Sequence, residues 1–243
     1  MPAERYFHPE LLKTDQIINV KDQELHHLIN VMRTRLGERL EVVNGQGQLA
    51  EATLQTIEKK NASLHVESVE TNTLPNQRLI LAQGMPRQNR LEFIIEKGTE
   101  LGMTEIWLFP ASRSEKKDFS ANQLERLNTL TIAAMKQCGR LFLPKIVVMP
   151  PLKQWKSPDI GHIFFGDTHP DALPFLSTWK KFAPCDQAIF CIGPESGFAP
   201  EEIAVLQKLQ AHGVKLHPNI LRTDTAAIAA LTLLSHFIYY PNN

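Results

Sequence analysis

The sequence predicts an α/β protein in two domains: a small β-barrel or sheet over residues 1–73, then an α/β domain with a mainly parallel sheet over residues 74–243. Three observations carry this. The first part holds short alternating or β-branched runs separated by turn signals; the second alternates short apolar runs with longer segments of helical period. Where the pattern changes stands a polar, proline-containing stretch, "TNTLPN" at 71–76. At 243 residues and 43% apolar, the chain is long enough to bury a core in each part.

Taken in order, the strand-like runs of the first part are "IINV", "RLEVVN", "AEATLQTIE" and "ASLHVESVE", with "NGQG" marking a turn. They are interrupted by "DQELHHLINVMRTRLGER", where Leu25, Leu28, Ile29 and Met32 recur at helical spacing behind Asp22, an acceptable N-cap. One short helix is expected there. In the second part strands are expected at 78–83, 105–109, 162–166, 187–192 and 214–217, and helices near 88–101, 120–138, 200–211 and 225–239. Sheets of this kind bind ligands at the carboxyl ends of their strands, which directs attention to the loops after Phe165, Ile192 and Leu216. The last helix, "TAAIAALTLLSHFIYY", is small or apolar on nearly every side. Either it is a central core helix, or a partner subunit supplies its second cover.

Composition excludes several classes. No run of about 18 apolar residues exists, and the N-terminal "MPAERYFHPE" is charged where a signal peptide is apolar. Neither membrane insertion nor secretion is expected, so the chain reads as cytoplasmic. Cys138, Cys185 and Cys191 are an odd count without a CxxC pair, which argues for reduced thiols, and the nine histidines lack metal spacing. No metal is expected. The dinucleotide, P-loop, HExxH and GxSxG fingerprints are all missing. Charge balances globally, 26 basic against 26 acidic, yet residues 111–145 carry Arg113, Lys116, Lys117, Arg126, Lys136, Arg140 and Lys145 against Glu115, Asp118 and Glu125. That local excess suits phosphate contacts, and equally a solvated helix face.

Candidate chemistry sits in three loops: "DTHPD" (167–171), "GPESG" (193–197) and "HPNILRTDTA" (217–226). Gly-rich turns and helix N-termini let backbone N–H groups approach a polar ligand closely. Asp224 or Thr223 can cap the last helix. Arg222 is charged in an otherwise apolar segment; a buried guanidinium needs a partner, which Glu195 or Asp224 could supply, and a purely structural ion pair is the competing reading. In "IIEKGTELG" (94–102), Glu96 and Glu100 share a helix face that Gly102 closes, and read alone they form an exposed acidic stripe.

Together "GPESG", "NILRTDTAAIAAL", "EKGTELG", "KQCGR", "RYF" and "HHLINVMR" resemble, in the family's order and over essentially the whole chain, the RsmE family of 16S rRNA uracil-N3-methyltransferases of the SPOUT superfamily. The resemblance implies an N-terminal PUA-like β-barrel, a C-terminal SPOUT domain with a trefoil knot that binds S-adenosylmethionine, and a homodimer. It further implies that Ile192, Gly193, Pro194, Glu195, Ser196 and Gly197 form one wall of the cofactor pocket. Leu216, His217, Pro218, Ile220 and Leu221, with Thr223 and Ala226, form the second, and Asp167 and His169 complete the entrance. Ser196 and His217 stand where the family usually has glycine, and Asp224 where it has glutamate. Altered contacts rather than lost binding are expected.

The implied reaction methylates N3 of an unpaired uridine in small-subunit rRNA, free or in the assembled small ribosomal subunit. Glu195 or Asp224 is the candidate base, and Arg222 or Arg140 the candidate stabiliser of the uracil anion. RNA contacts fall to Arg5, Arg33, Arg35, Arg113, Lys116, Lys117 and Arg140. Residues 1–73 hold eight basic and eleven acidic side chains, so that domain is expected to read shape rather than to anchor by charge. The alternatives are a ribose 2′-O-methyltransferase of the same superfamily and a non-catalytic rRNA-binding assembly factor.

Overall fold

A computed structural model of the chain describes residues 5–158, 161–182 and 185–240. It divides into two compact units, one that runs to Leu74 and takes in Ile132–Leu143, the other made of Pro75–Thr131 and the chain from Pro144 onward.

In the first unit β1 (Arg5–Phe7), β2 (Ile17–Val20), β3 (Arg39–Val43), β4 (Gln48–Ile57) and β5 (Ala62–Thr71) form one sheet in the order β1-β3-β4-β5-β2. Its pairs are antiparallel except for β1 against β3, where Arg5 lies opposite Glu41. Ala50, Ala52 and Leu54 on β4 and Ala62, Leu64 and Val66 on β5 point to one core with Tyr6, Leu28 and Val42. That period of two is what a sheet with one wet face requires. Irregularities between Glu51 and Ala52 and between Leu54 and Thr56 strengthen its curl.

The helix expected here is α1 (Asp22–His26), continued by a π-helical turn over His27–Val31. Asp22 is not its cap. Lys21 holds the N-cap position, no side chain caps the helix, and Asp22 opens its first turn with φ +50°. Tertiary pairing fixes the helix instead: Glu24 accepts the Phe7 N–H at 3.0 Å and binds Lys136.

The second unit runs β6 (Arg78–Gly84), α2 (Gln88–Glu100), β7 (Glu105–Phe109), α3 (Ala121–Cys138) as far as Thr131, β8 (Lys145–Val148), β9 (His162–Gly166), β10 (Leu173–Pro174), α4 (Phe175–Trp179), β11 (Gln187–Ile192), α5 (Pro200–Lys208), β12 (His212–Lys215) and α6 (Thr223–Tyr239), the end of α3 belonging to the first unit. Its seven strands are ordered β10-β12-β9-β11-β6-β7-β8, and every pair is parallel. Leu79, Leu81, Phe164 and Phe190 pack on one face against Ile94, Leu231 and Leu234, while Ile80, Ala82, Ile189 and Cys191 pack on the other with Leu206. Burial on both faces explains why β6 and β11 read as unbroken apolar runs. The α/β class and the parallel sheet are those the sequence predicts. The short β1, β8, β10 and α4 have no counterpart in that reading, and β12 begins two residues earlier than expected.

Two features of this unit position the site. The carboxyl ends of β12, β9 and β11 lie side by side, at the edge where such sheets bind ligands. The last helix, α6, buries Ala227, Ala230, Leu231, Leu234 and Ile238 against β6, β11 and α2, and leaves Ile228, Ala229 and Leu233 half-covered. No helix of the described residues is long and apolar enough to cross a membrane.

Candidate functional site

A cleft of about 540 Å³ opens at the ends of β9, β11 and β12. One wall runs from Ile192 through Gly193, Pro194, Glu195, Ser196 and Gly197 to Phe198. Its turn is closed by the Gly197 N–H, which donates to Pro194 O at 2.9 Å, and Gly197 takes φ +69°, a conformation that favours glycine. The wall also sits tight on β6, since a Cβ added to Gly84 would lie 2.9 Å from Pro194 Cδ.

The second wall is Leu216, His217, Pro218, Ile220 and Leu221, continued by Thr223 and Ala226 on α6. Asp167 lines the mouth, where its carboxylate accepts the His169 N–H at 2.9 Å. His169 itself does not line the cleft. Its Nδ1 accepts the Asp171 N–H at 3.3 Å, so the ring closes the 167–171 turn.

A fully buried glutamine fastens the two walls together. Gln83 Nε2 donates toward Gly84 O at 2.9 Å, Gly193 O at 3.2 Å and Thr223 Oγ1 at 3.0 Å, and Thr223 Oγ1 donates to Gly193 O at 2.7 Å. Thr223 therefore holds a loop carbonyl and does not cap α6, whose N-cap residue is Arg222. Sequence reasoning passed over Gln83, although a lone amide in the apolar run "RLILAQG" was the available signal.

The charged partners also differ from expectation. Arg222 is exposed and makes no ion pair among the described residues. Its extended backbone at the head of α6 leaves the side chain in solvent, while Arg90, in the first turn of α2, takes both carboxylates: Asp224 Oδ2 at 2.7 Å and Glu195 Oε1 at 3.4 Å. The same Glu195 oxygen accepts the Arg87 backbone N–H at 3.0 Å, which leaves Oε2 without a hydrogen-bond partner among the described residues. Glu96 and Glu100, expected as an acidic stripe, both bind Lys97, at 2.7 and 2.8 Å.

Of the basic residues expected to meet RNA, Arg33 and Arg35 are exposed on the first unit. Arg5 is not available: its side chain is only 12% exposed, and strand pairing brings it to Glu41 at 2.6 Å. Arg140 belongs to the first unit, half-buried in the turn after α3. Arg113 lines the cleft and donates to Ser196 O at 3.0 Å. Lys116 donates to Gln123 at 3.0 Å, and Lys117 donates to the carbonyls of Ala111 and Ser112. Arg126 and Lys136 are spent on Glu92 and Glu24, so much of the local positive excess is neutralised within the fold.

The two departures from the glycine pattern cost no backbone strain, because neither Ser196 nor His217 has positive φ. His217 turns on itself, its Nδ1 accepting the Asn219 N–H at 3.1 Å. Apolar Ile192, Leu216, Ile220 and Leu221 beside loop N–H and C=O groups suit a flat heterocycle with a polar edge, and the volume suits a nucleoside-sized ligand. Among the described residues no cluster of side chains could hold a metal ion.

The RNA methyltransferase domain family matches residues 72–235, and the PUA domain of RNA methyltransferases matches residues 20–67. The chain belongs to the RNA methyltransferase family. It is 28% identical over 228 residues to the ribosomal RNA small subunit methyltransferase E of Bacillus subtilis (strain 168), covering 90% of this chain and 89% of that protein. Among solved structures it is similar to a putative methyltransferase from Legionella pneumophila in complex with S-adenosylmethionine, at 26% identity and a TM-score of 0.87 over 96% of this chain and 97% of that one. It is also similar to a ribosomal RNA small subunit methyltransferase E from Neisseria gonorrhoeae bound to S-adenosylmethionine, at 26% identity and a TM-score of 0.85 over the same shares. In this RNA methyltransferase every residue of the cleft falls inside the matched 72–235 segment, and the curled sheet of the first unit is its PUA domain.

Proposed function

We propose that the chain methylates N3 of a uridine in small-subunit ribosomal RNA, with S-adenosylmethionine as donor. The observation that carries the reading is the cleft at the ends of β9, β11 and β12, walled by small-residue loops, in a chain whose structural relatives carry that cofactor. The cofactor supplies a methyl group on a positively charged sulfur.

The chain's own residues do the rest. Ile192, Leu216 and Leu221, with the exposed Ile220 at the edge, would hold the adenine of the cofactor, and Asp167 would accept from its ribose hydroxyls. Gln83 and Thr223 hold the two walls at fixed spacing, so that the acceptor nitrogen meets the methyl in line. N3 of uridine carries a proton at neutral pH and becomes a nucleophile only as it is lost. Glu195 Oε2 receives that proton as the N3–carbon bond forms and the sulfur–carbon bond breaks. Arg90 keeps Glu195 and Asp224 in register, Arg113 offers positive charge at the rim, and Arg222 stands exposed at the head of α6. Arg33 and Arg35 bring the PUA domain to the RNA backbone, and the half-covered face of α6 meets a second copy of the chain in a homodimer. We place the reaction in the cytoplasm.

The test is nucleoside analysis after incubating the purified protein with isotopically labelled S-adenosylmethionine and small-subunit rRNA or subunits. Labelled 3-methyluridine is expected. Label in a 2′-O-methylated nucleoside would move the reading to ribose chemistry, and no label in either substrate would leave a non-catalytic assembly factor.

A further inference from the structure

A second, smaller cavity of about 190 Å³ adjoins the cleft, and Glu195 lines both. Its other walls are Met85 and Pro86 after β6, Arg87 and Gln88 at the head of α2, and Lys116 and Phe119 in the loop before α3. We infer that this cavity receives the target base and selects uracil, with Phe119 as the stacking surface and Gln88 and Lys116 as donors to its carbonyls. The inference rests on the base-methylation reading above, and it deepens that reading by naming the acceptor subsite.

Size and position come first. The smaller cavity lies below the usual range for a cofactor-sized ligand, roughly 300–1,000 Å³, and suits a single pyrimidine ring. Methyl transfer needs the acceptor atom in direct contact with the methyl, so the acceptor's cavity must open beside the donor's. Glu195 stands at the edge that the two cavities share, so a base in the smaller one presents N3 toward the cleft and finds a carboxylate beside it.

The polar groups then decide which base. Gln88 is held in one orientation: Gln123 Nε2 donates to its Oε1 at 3.0 Å, and its own Nε2 donates to Glu92 Oε1 at 3.0 Å. Arg126 binds Glu92 through two contacts of 2.6 and 2.8 Å, and the hydrogen bonds from Arg126 and then Gln88 hold that carboxyl below the usual carboxylate range. Glu92 is therefore ionised and accepts only, which fixes the Gln88 amide and leaves its second N–H for a ligand. Lys116 gives one hydrogen to Gln123 Oε1 at 3.0 Å and keeps two. Glu115, the remaining carboxylate of the cavity, is taken by Arg87 at 2.7 Å.

Apart from Glu195, kept beside N3, what faces the base is thus a set of donors and positive charge. Uracil presents carbonyls on both sides of N3, whereas cytosine presents an amino group on one of them, and a donor facing a donor leaves both unpaired. As N3 loses its proton the negative charge spreads onto the same two carbonyl oxygens, where Gln88 and Lys116 stabilise it. Phe119, half-buried against the core, offers a ring face that any extruded base can stack on.

Gln88→Glu, Phe119→Ala and the surface variant Lys116→Met test this in the full-length protein. Methylation of small-subunit rRNA is followed as kcat/KM, and S-adenosylmethionine binding is followed by calorimetry. Gln88→Glu and Phe119→Ala are expected to lower kcat/KM for RNA about 10- to 100-fold, and Lys116→Met about 10-fold, with the cofactor Kd within about twofold of wild type. Intact cofactor binding also reports an intact fold. Phe119→Trp, which keeps a stacking face, restores most of the rate. A cofactor Kd raised in step with the loss of rate would overturn the inference, since the cavity would then hold the amino-acid end of the cofactor. Unchanged kcat/KM in all three variants would overturn it while leaving the base-methylation reading intact, and a wild-type protein that forms no 3-methyluridine would defeat both.

Discussion

The guanidinium of Arg90 stands 2.7 Å from the carboxylate of Asp224, across 134 residues of sequence, and 3.4 Å from that of Glu195. One cation on α2 thereby ties the head of α6 to the loop after β11. Both carboxylates named as candidate bases share this partner, and the arrangement divides their work. Asp224 is held directly by Arg90, while Glu195 keeps one oxygen free of hydrogen bonds among the described residues at the wall between two cavities.

Arg90→Met leaves the half-buried Asp224 and the more exposed Glu195 without their cation. Denaturation in urea should show a loss of about 1 kcal/mol, far below the cost of breaking a fully buried pair because all three groups keep solvent contact that screens them. Methyl transfer should fall more steeply than cofactor affinity. Wild-type stability and rate in this variant would contradict the role given to Arg90.

Backbone conformation separates two neighbours in the first wall. Gly197 has φ +69° and Ser196 does not, so Gly197→Ala should cost about 1 kcal/mol of stability and weaken S-adenosylmethionine binding, whereas Ser196→Gly should change neither by more than about twofold in Kd. Calorimetric titration of both variants decides the point, and the reverse ranking would mean that the serine side chain holds the ligand.

Cys191 is fully buried in β11, and burial pushes its thiol up to about 12. Alkylation near neutral pH should therefore label Cys138 and Cys185, both half-buried, while Cys191 reacts only as the native state opens. Peptide mass spectrometry over time reads this directly. Rapid native-state labelling of Cys191 would show that the sheet is not closed there.

Burial, and then the neighbouring His162, lower the pKa of His212, whose ring packs 4.7 Å from Phe182. Below the unperturbed value of 6.5 the unfolded chain takes up a proton that the folded chain refuses, so stability is full above that pH and declines as pH falls through it. His8 in the first unit, lowered by burial against the opposing pull of Glu10, adds a loss of the same sign. Thermal melts between about pH 7.5 and 5 should show the decline, and His212→Phe should make it shallower. An equal slope in the variant would contradict the assignment.

How legible the fold was depended on what each residue type encodes locally. β6, β9 and β11 stood out because a sheet buried on both faces needs unbroken apolar runs, and the cleft loops stood out because Gly and Pro cluster where the chain turns. The two-residue β10 and the three-residue β1 are too short to show a period, and the latter owes its place to pairing with β3. Arg90 and Gln83 were missed because their partners are distant in sequence, and an arginine on a helix reads as a solvated charge until the opposite carboxylates are in place. Arg222 and Arg5 were misjudged for the converse reason. Apolar neighbours in sequence do not say which way a side chain points, and a charge near the N-terminus does not announce that a strand partner will cover it. No periodicity records the order in which a chain is threaded, so the knot implied by the family resemblance had no local signature.

The central claim is that the cleft places a methyl group on the pairing edge of one uridine. Primer extension on small-subunit rRNA, after incubation with the protein and S-adenosylmethionine, tests it most directly, because a methyl at N3 blocks base pairing with the growing strand. The account predicts one new stop, next to a uridine, that requires both protein and cofactor. Full-length extension on RNA that has nonetheless gained a methyl group would contradict it.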